Sequence, residues 1–360
     1  MNKKNKNARI IAFYLPQFHP IPENDLWWGK GFTEWTNVRK AKPLFKGHYQ
    51  PRVPADLGYY DLRSPETREA QVEMAKYAGV EGFCYWHYWF AGKRLLERPF
   101  NEVLKNKMPD FPFCLAWANE TWSGIWHGAP KKILIEQTYP GIEDYTNHFY
   151  SVLDALKDKR YIKIDGKPLF YIYRPLNIPD SQQFIKCWQE LAKKNGLKGI
   201  HFVGTSYGVK QANDILNLGF DAVNTNWQKS IMLKGHMFKT FWNKLSERFF
   251  ESSLKLDVWN YNEFAQRLSK EIDSQPNYYP TILSGWDNSP RSGSKGQIFI
   301  NYSPEIFDVH IKSIYNKIKN KPFENNIVFL RSWNEWAEGN YVEPDMKYGW
   351  KFLDVLRGNS

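Results

Sequence analysis

The chain has 360 residues, of which 42% are hydrophobic and 24% charged, with a formal net charge of +11 at pH 7. This composition excludes a disordered chain and supplies a substantial core, while 16 Trp, 21 Tyr and 24 Phe make the aromatic share its outlying feature. The positive charge suits partners with phosphate or carboxylate groups, or an anionic membrane surface. No helix-turn-helix, zinc-finger or RNA-recognition pattern accompanies it, so nucleic acid is not an expected partner.

The first residues, MNKKNKNARIIAFYLPQF, are basic and then apolar. The apolar run is short, is broken by Pro16 and Gln17, and has no small-residue cleavage site, so it reads as a tail leading into a first strand. No stretch is long and apolar enough to span a bilayer. Cys84, Cys114 and Cys187 form no CxxC and leave one over, which fits reduced thiols. The expected setting is cytoplasmic.

Short apolar, β-branched and aromatic runs recur at 9–18, 79–89, 111–119, 167–175, 199–207, 220–227, 279–288 and 326–336. Helical periodicity fills the intervals. Ser64 and Ser303 each precede a proline at a helix start, and Asp180 with Gln183 suggests a capping box before an Ile185, Trp188, Leu191 stripe. Strand and helix alternating eight times predict an α/β fold, a (β/α)8 barrel of the TIM type, as one domain over residues 1–360. An open doubly wound sheet is the alternative, but no G-x-G-x-x-G or Walker loop follows any of the strands.

Two insertions interrupt the alternation, after strands 1 and 6. Residues 19–63 are too many for a simple connection. Residues 228–257 are basic and aromatic, and Phe238, Trp242, Leu245 and Phe249 fall at helical spacing. An amphipathic helix is expected there, either a lid packed on the barrel or a surface in peripheral contact with membrane or lipid. Its lysines, Lys234, Lys239 and Lys244 among them, would favour an anionic glycan or a pyrophosphate-linked lipid carrier.

In such a barrel the C-terminal strand ends converge on one face, where chemistry is done. Those ends carry Tyr14, Gln17 and His19, then His87, Tyr88 and Trp89, then Trp117, Asn119 and Glu120. Tyr171, Tyr173 and Arg174 follow, then Asn224, Asn226 and Trp227, Trp286 and Asp287, and Asn334, Glu335, Trp336 and Glu338. The opposite ends supply Ile, Phe, Val and Leu. Flat rings cover the C–H faces of sugars, amide, imidazole and guanidinium groups bond to hydroxyls, and carboxyls provide acid and base. The glycine loops of a phosphate site are missing, and His19 and His87 have no obvious third partner, so neither metal nor cofactor is expected.

The decapeptide RSWNEWAEGN, residues 331–340, places Glu335 and Glu338 beside Trp333 and Trp336. The indoles are expected to desolvate one carboxyl and keep it protonated while its neighbour stays ionised. The competing reading pairs one glutamate with Arg331 or Arg174 as scaffolding.

YLPQFH, WWGKGFTEW, GFCYWHYWF, AWANETW and SWNEWAEG…EP resemble the WbsX-like proteins of bacterial polysaccharide clusters. Those are similar in turn to the endo-α-mannosidase family, number 99 of the glycoside hydrolases. The resemblance runs from about residue 9 to 350 and implies a (β/α)8 barrel. In the hydrolase family the E-W-x-E-G motif carries both catalytic carboxyls, and it matches EWAEG here. The resemblance implies Glu338 as general acid/base and Glu335 as a base acting on the substrate's own 2-hydroxyl, giving a 1,2-anhydro sugar and net retention. It implies Glu120 as a ligand of the sugar next to the cleaved bond, and adds Glu34 and Trp35 to the substrate-binding set. The expected function is a retaining, endo-acting glycoside hydrolase or transglycosylase, metal-independent, acting on a bacterial polysaccharide or lipid-linked oligosaccharide. The alternative is a glycosyltransferase of O-antigen, lipopolysaccharide or capsule biosynthesis, the label that WbsX-like proteins carry from their gene neighbourhoods.

Overall fold

A computed structural model of the chain describes residues 8–124, 129–232 and 256–360. Its centre is a closed sheet of β1 (Arg9–Tyr14), β2 (Gly82–Phe90), β3 (Phe113–Trp117), β4 (Lys167–Ile172), β5 (His201–Ser206), β6 (Ala222–Thr225), β7 (Tyr278–Leu283) and β8 (Ile327–Arg331). Each strand pairs in parallel with the next, and β8 returns to β1 in the register Arg9↔Ile327 to Ala12↔Leu330. The (β/α)8 barrel expected from the alternation is therefore present. Every residue of β1 is buried, as a strand needs when side chains fill the barrel on one face and helices cover the other.

The insertion after β1 contains α1 (Pro22–Trp28) and α2 (Glu34–Lys40), and α3 (Pro65–Tyr77) then leads to β2. The Ser64 hydroxyl caps α3 by accepting from the Thr67 amide. Outside the barrel lie α4 (Ile142–Lys157) between β3 and β4 and α5 (Ser181–Lys194) between β4 and β5. At the start of α5, the expected capping box does not form. The Asp180 carboxylate accepts instead from the Tyr145 hydroxyl of α4, a tertiary bond that outcompetes the local cap. Before β8, α6 (Pro304–Ile318) starts at Ser303, whose hydroxyl accepts from Ile306.

Of the insertion after β6, the described parts close a small apolar cluster. Trp227, Ile231 and Met232 pack with Tyr261, Phe264 and Leu268 against Leu283 and Trp286. The expected amphipathic helix with Phe238, Trp242, Leu245 and Phe249, and Lys234, Lys239 and Lys244, lies outside the described residues. Among the described residues no helix is long and apolar enough to cross a membrane. Cys84, Cys114 and Cys187 are all free thiols.

The segment after β8 is tied across the barrel end by side chains that imitate backbone. Asn334 accepts from the Leu15 amide at 2.7 Å and donates to the Leu15 carbonyl at 3.1 Å, so its carboxamide extends β1 by one rung. Further along, Gly339 has φ +64°, and its carbonyl accepts from Arg52 Nη1 at 2.9 Å. A Cβ there would come within 2.8 Å of Arg52 Cζ. Gly339→Ala should thus cost about 1–2 kcal/mol from the left-handed backbone alone, plus displacement of Arg52. Urea unfolding of the variant measures it, and an unchanged midpoint would show that this turn tolerates a side chain.

Candidate active site

A cavity of about 270 Å³ opens at the C-terminal end of the barrel. Its floor is built from Phe13, Trp86, Tyr171 and Thr205, and higher residues of the same strand ends form the walls. Phe13 stacks on Trp86 with centroids 4.8 Å apart and meets Tyr171 edge-on at 5.0 Å. The Tyr171 hydroxyl donates to Asn224 Oδ1 at 2.9 Å and lies 2.5 Å from Thr205 Oγ1, fixing β4, β5 and β6 to one another. The first insertion adds Asn24, Trp28, Phe32, Glu34 and Asn37. A hairpin of Trp122–Gly124 and Ala129–Ile135 adds Trp122 and Leu134, and the short helix Ser289–Ser292 brings in Arg291.

Of the residues singled out in the sequence, Gln17, Glu34, Tyr88, Glu120, Tyr173, Asn226, Glu335 and Glu338 line this cavity, together with Tyr171 and Asn224. Most of the others sit at the alternate positions of the same strands. Side chains alternate between the two faces of a strand, so residues next in sequence to a cavity residue point under the helices. The Tyr14 hydroxyl donates to Gln71 of α3 at 2.6 Å. His87 and His148 of α4 share one hydrogen bond at 2.9 Å, and burial holds both imidazoles well below their usual pKa, hence neutral. Trp89 donates to Asp144 at 3.1 Å, and Trp117 to the Trp89 carbonyl at 3.2 Å. Asn119 accepts from the Arg174 amide and donates to its carbonyl, locking two strand ends, while Arg174 grips Glu120 at 2.5 Å. Trp227 donates to Asp273 at 3.1 Å.

The remainder support the loops. His19 faces the Pro16 carbonyl at 2.9 Å, and the Trp35 indole donates to the Tyr60 carbonyl at 2.8 Å. Trp286 lies under the Arg331 guanidinium at 4.6 Å. Asp287 is buried and accepts from Gln50 at 2.7 Å, lies 2.8 Å from His48 Nε2, and takes the Ser289 amide at 3.0 Å at the start of the Arg291 helix. Trp333 packs on Phe83 in the core, with centroids 5.2 Å apart. The Trp336 indole donates to Glu343 Oε2 at 2.7 Å. Glu343 also accepts from Tyr60 at 2.9 Å and Gln71 at 2.6 Å, yet burial pushes its carboxyl up to about 7. That third acid of the C-terminal motif is a buried strut beneath the loop.

The electrostatic centre of the cavity is Arg291, which the sequence reading had passed over. Its Nε donates to Glu34 at 2.8 Å, Nη1 to Glu338 at 2.7 Å, and Nη2 to Glu335 at 3.2 Å. Arg331 approaches the other oxygen of Glu338 at 3.5 Å. Burial first, then the nearby Glu338 and Glu34 charges, push the Glu335 carboxyl up to about 8, although Arg291 pulls it down. The Glu335 carboxyl is thus raised, but the cause is not the one expected. Trp333 and Trp336 face away into the core, and burial at the barrel mouth with the charges of Glu338 and Glu34 raises it instead. Arg331 does pair with a glutamate of the motif, as the competing reading had it, whereas Arg174 pairs with Glu120. No local pattern marks Arg291, because it reaches the pair from 44 and 47 residues away. Trp86 and Phe13 could have been found, since they share strand parity with Tyr88 and Leu15.

A closed parallel barrel with helices around it defines a fold class seen in other solved structures. A structure described as a glycoside hydrolase-like protein superposes with a TM-score of 0.63 at 14% identity, covering 100% of this chain and 95% of that one. The family 99 endo-α-mannosidase of Bacteroides thetaiotaomicron superposes at 0.57 and 15% identity, with 98% and 95% covered. At these identities the likeness is one of fold. Within that class, the chain belongs to the family described as Glycosyltransferase WbsX, whose model matches residues 10–356. The uncharacterized protein WxcX of Xanthomonas campestris pv. campestris is 37% identical over 356 residues, which is 97% of this chain and 49% of WxcX. The chain spans about half the length of the curated relatives it matches.

The raised carboxyl has a stability consequence. Glu335 keeps its proton in the folded protein to about pH 8 but releases it near pH 4.5, as an ordinary glutamate does, when unfolded. Between those values the folded state binds more protons, so its stability declines as pH rises through the window. Glu335→Gln removes that liability. It should raise Tm above wild type at about pH 8.5 and by much less at about pH 5, where Glu335 is neutral anyway. Calorimetry at the two pH values checks this, and an equal shift at both would assign the effect to packing.

Proposed function

We propose that the chain cleaves glycosidic bonds, as a retaining, endo-acting glycoside hydrolase or transglycosylase on a bacterial polysaccharide or lipid-linked oligosaccharide. Residues 1–360 would act as one glycan-active barrel unit. The observation that carries this reading is the pair Glu335 and Glu338 bonded to one guanidinium in a cavity walled by aromatic rings. Bond cleavage needs one carboxyl that gives a proton and one that takes it, and Glu335 and Glu338 on one arginine supply two such groups.

Burial keeps a proton on Glu335 near neutral pH. The resemblance requires Glu338 to protonate the departing glycosidic oxygen. Glu335 then draws the proton from the sugar's 2-hydroxyl, whose oxygen closes on C1 as the glycosidic bond breaks. On this reading the proton passes from Glu335 to Glu338 as substrate docks, with Arg291 bonded to both throughout. Water, or an acceptor sugar in transglycosylation, then opens the anhydro ring with the roles reversed. Glu120, held by Arg174 in the same cavity, would bind the adjoining sugar, as the resemblance implies. The free thiols fit a cytoplasmic setting.

The family description favours a second reading, a glycosyltransferase of O-antigen or capsule assembly. Calorimetry with nucleotide sugars, run beside an assay for free oligosaccharide released from the source strain's own polysaccharide, separates the two. Sugar-nucleotide binding without release would replace the hydrolase reading.

Glu335→Gln and Glu338→Gln should each lower turnover by at least ~10²–10⁴-fold while the fold survives. Full activity in both variants would remove the pair from the mechanism. The Glu335 proton is lost as pH rises past about 8, so kcat/KM should fall there. Because Arg291 lowers the Glu335 pKa, Arg291→Met should move that alkaline limb upward, and a downward shift would contradict the assignment.

A further inference from the structure

Asn24 is 1% exposed, yet neither its amide nitrogen nor its amide oxygen has a hydrogen-bond partner among the described residues. Burying a carboxamide with both ends unpaired is costly, and protein interiors seldom keep such a group without a use for it. Packing gives no reason for it, because a leucine of nearly the same shape would fill the position without the penalty. Asn24 lines the cavity, and so does Trp28, one helical turn further along α1. The same short helix turns Leu26, 82% exposed, to the outside.

Resting on the glycan reading above, we infer that Asn24 is a specificity-determining residue that reads two adjacent hydroxyls of a neutral sugar ring. Its Oδ1 accepts from one hydroxyl and its Nδ2 donates to the next, while the Trp28 indole covers the C–H face of the ring. Neutrality follows from the charges already in the wall. Of the four carboxyls there, Glu335 keeps its proton, and Glu34, Glu338 and Glu120 already face the guanidinium groups of Arg291, Arg331 and Arg174, so no cation is left over for an anionic sugar. Arg291 is bonded to three of those carboxyls, and Arg331 stands beside Glu338. A sugar carboxylate would meet acids rather than a waiting cation.

The test compares wild type, Asn24→Leu and Asn24→Ala on an array of oligosaccharides spanning neutral hexoses, N-acetylhexosamines and uronic acids, with Tm measured in the absence of sugar. The expected result is binding of a neutral glycan by wild type and a loss of roughly 10- to 100-fold in affinity in both variants. Asn24→Leu should have a Tm no lower than wild type, a combination that a merely structural asparagine would not give. Equal glycan binding by wild type and both variants would overturn this inference and leave the glycan reading standing. A clear fall in Tm for Asn24→Leu with affinity kept would do the same, and preference for uronic acids would overturn the neutral class. No glycan bound by wild type would overturn both.

Discussion

The Arg291 guanidinium donates to Glu34, Glu335 and Glu338, and without it three carboxyl groups would face one another at the mouth of the barrel. Like charges at that separation cannot all stay ionised when buried, so a single cation sets how many protons the site holds. Arg291 lowers the Glu335 pKa but does not cancel the effect of burial and of the two neighbouring acids. The result is a carboxyl that keeps its proton near neutral pH beside one held between two arginines. On the reading proposed above, one of these two side chains would give a proton and the other take it.

Holding this arrangement takes a second buried ion system behind the first. Arg52 grips the Gly339 carbonyl, approaches Asp287 at 3.6 Å, and lies over the Tyr302 ring at 4.8 Å. Asp287 in turn donates its amide to the Glu338 carbonyl at 2.6 Å and anchors the short helix that carries Arg291. The two halves of the clamp, the loop with Glu335 and Glu338 and the helix with Arg291, are therefore fixed to one another through Asp287. Glu343 plays the matching part on the other side, joining Trp336, Tyr60 and Gln71 beneath the loop. Neither acid lines the cavity, but both position groups that do.

The cavity also shows where stability has been given up. Glu335, Glu343 and the amide of Asn24, which has no partner among the described residues, are each less favourable than an apolar side chain would be in the same place. Glu335 and Asn24 line the cavity and Glu343 lies beneath its loop, while the opposite end of the barrel carries its own buried charges, Lys321 and the Arg9 that pairs with Glu81 among them. Cost of this kind beside a cavity is a physical mark of a site that binds something.

The barrel was legible in the chain because a closed parallel sheet needs eight buried strands, each apolar on both faces, with helices between them. The carboxyl pair was legible too, since Glu335 and Glu338 are neighbours in sequence and lie at the end of a strand. What the linear pattern did not resolve was which side of each strand end faces the cavity, and so Tyr14, His87, Trp89, Trp117 and Trp227 were gathered alongside the residues that line it. Applying the two-residue period of a strand to those ends separates most of them. No period, however, points to Arg291, Asn24 or Asp287. They come to the cavity from other connections of the barrel, and only the closed fold decides that one arginine serves three acids or that an asparagine is buried with no partner among the described residues. Sequence determines the alternation of strand and helix because that depends on local pattern, whereas the charge state of the site depends on distances between residues far apart in the chain.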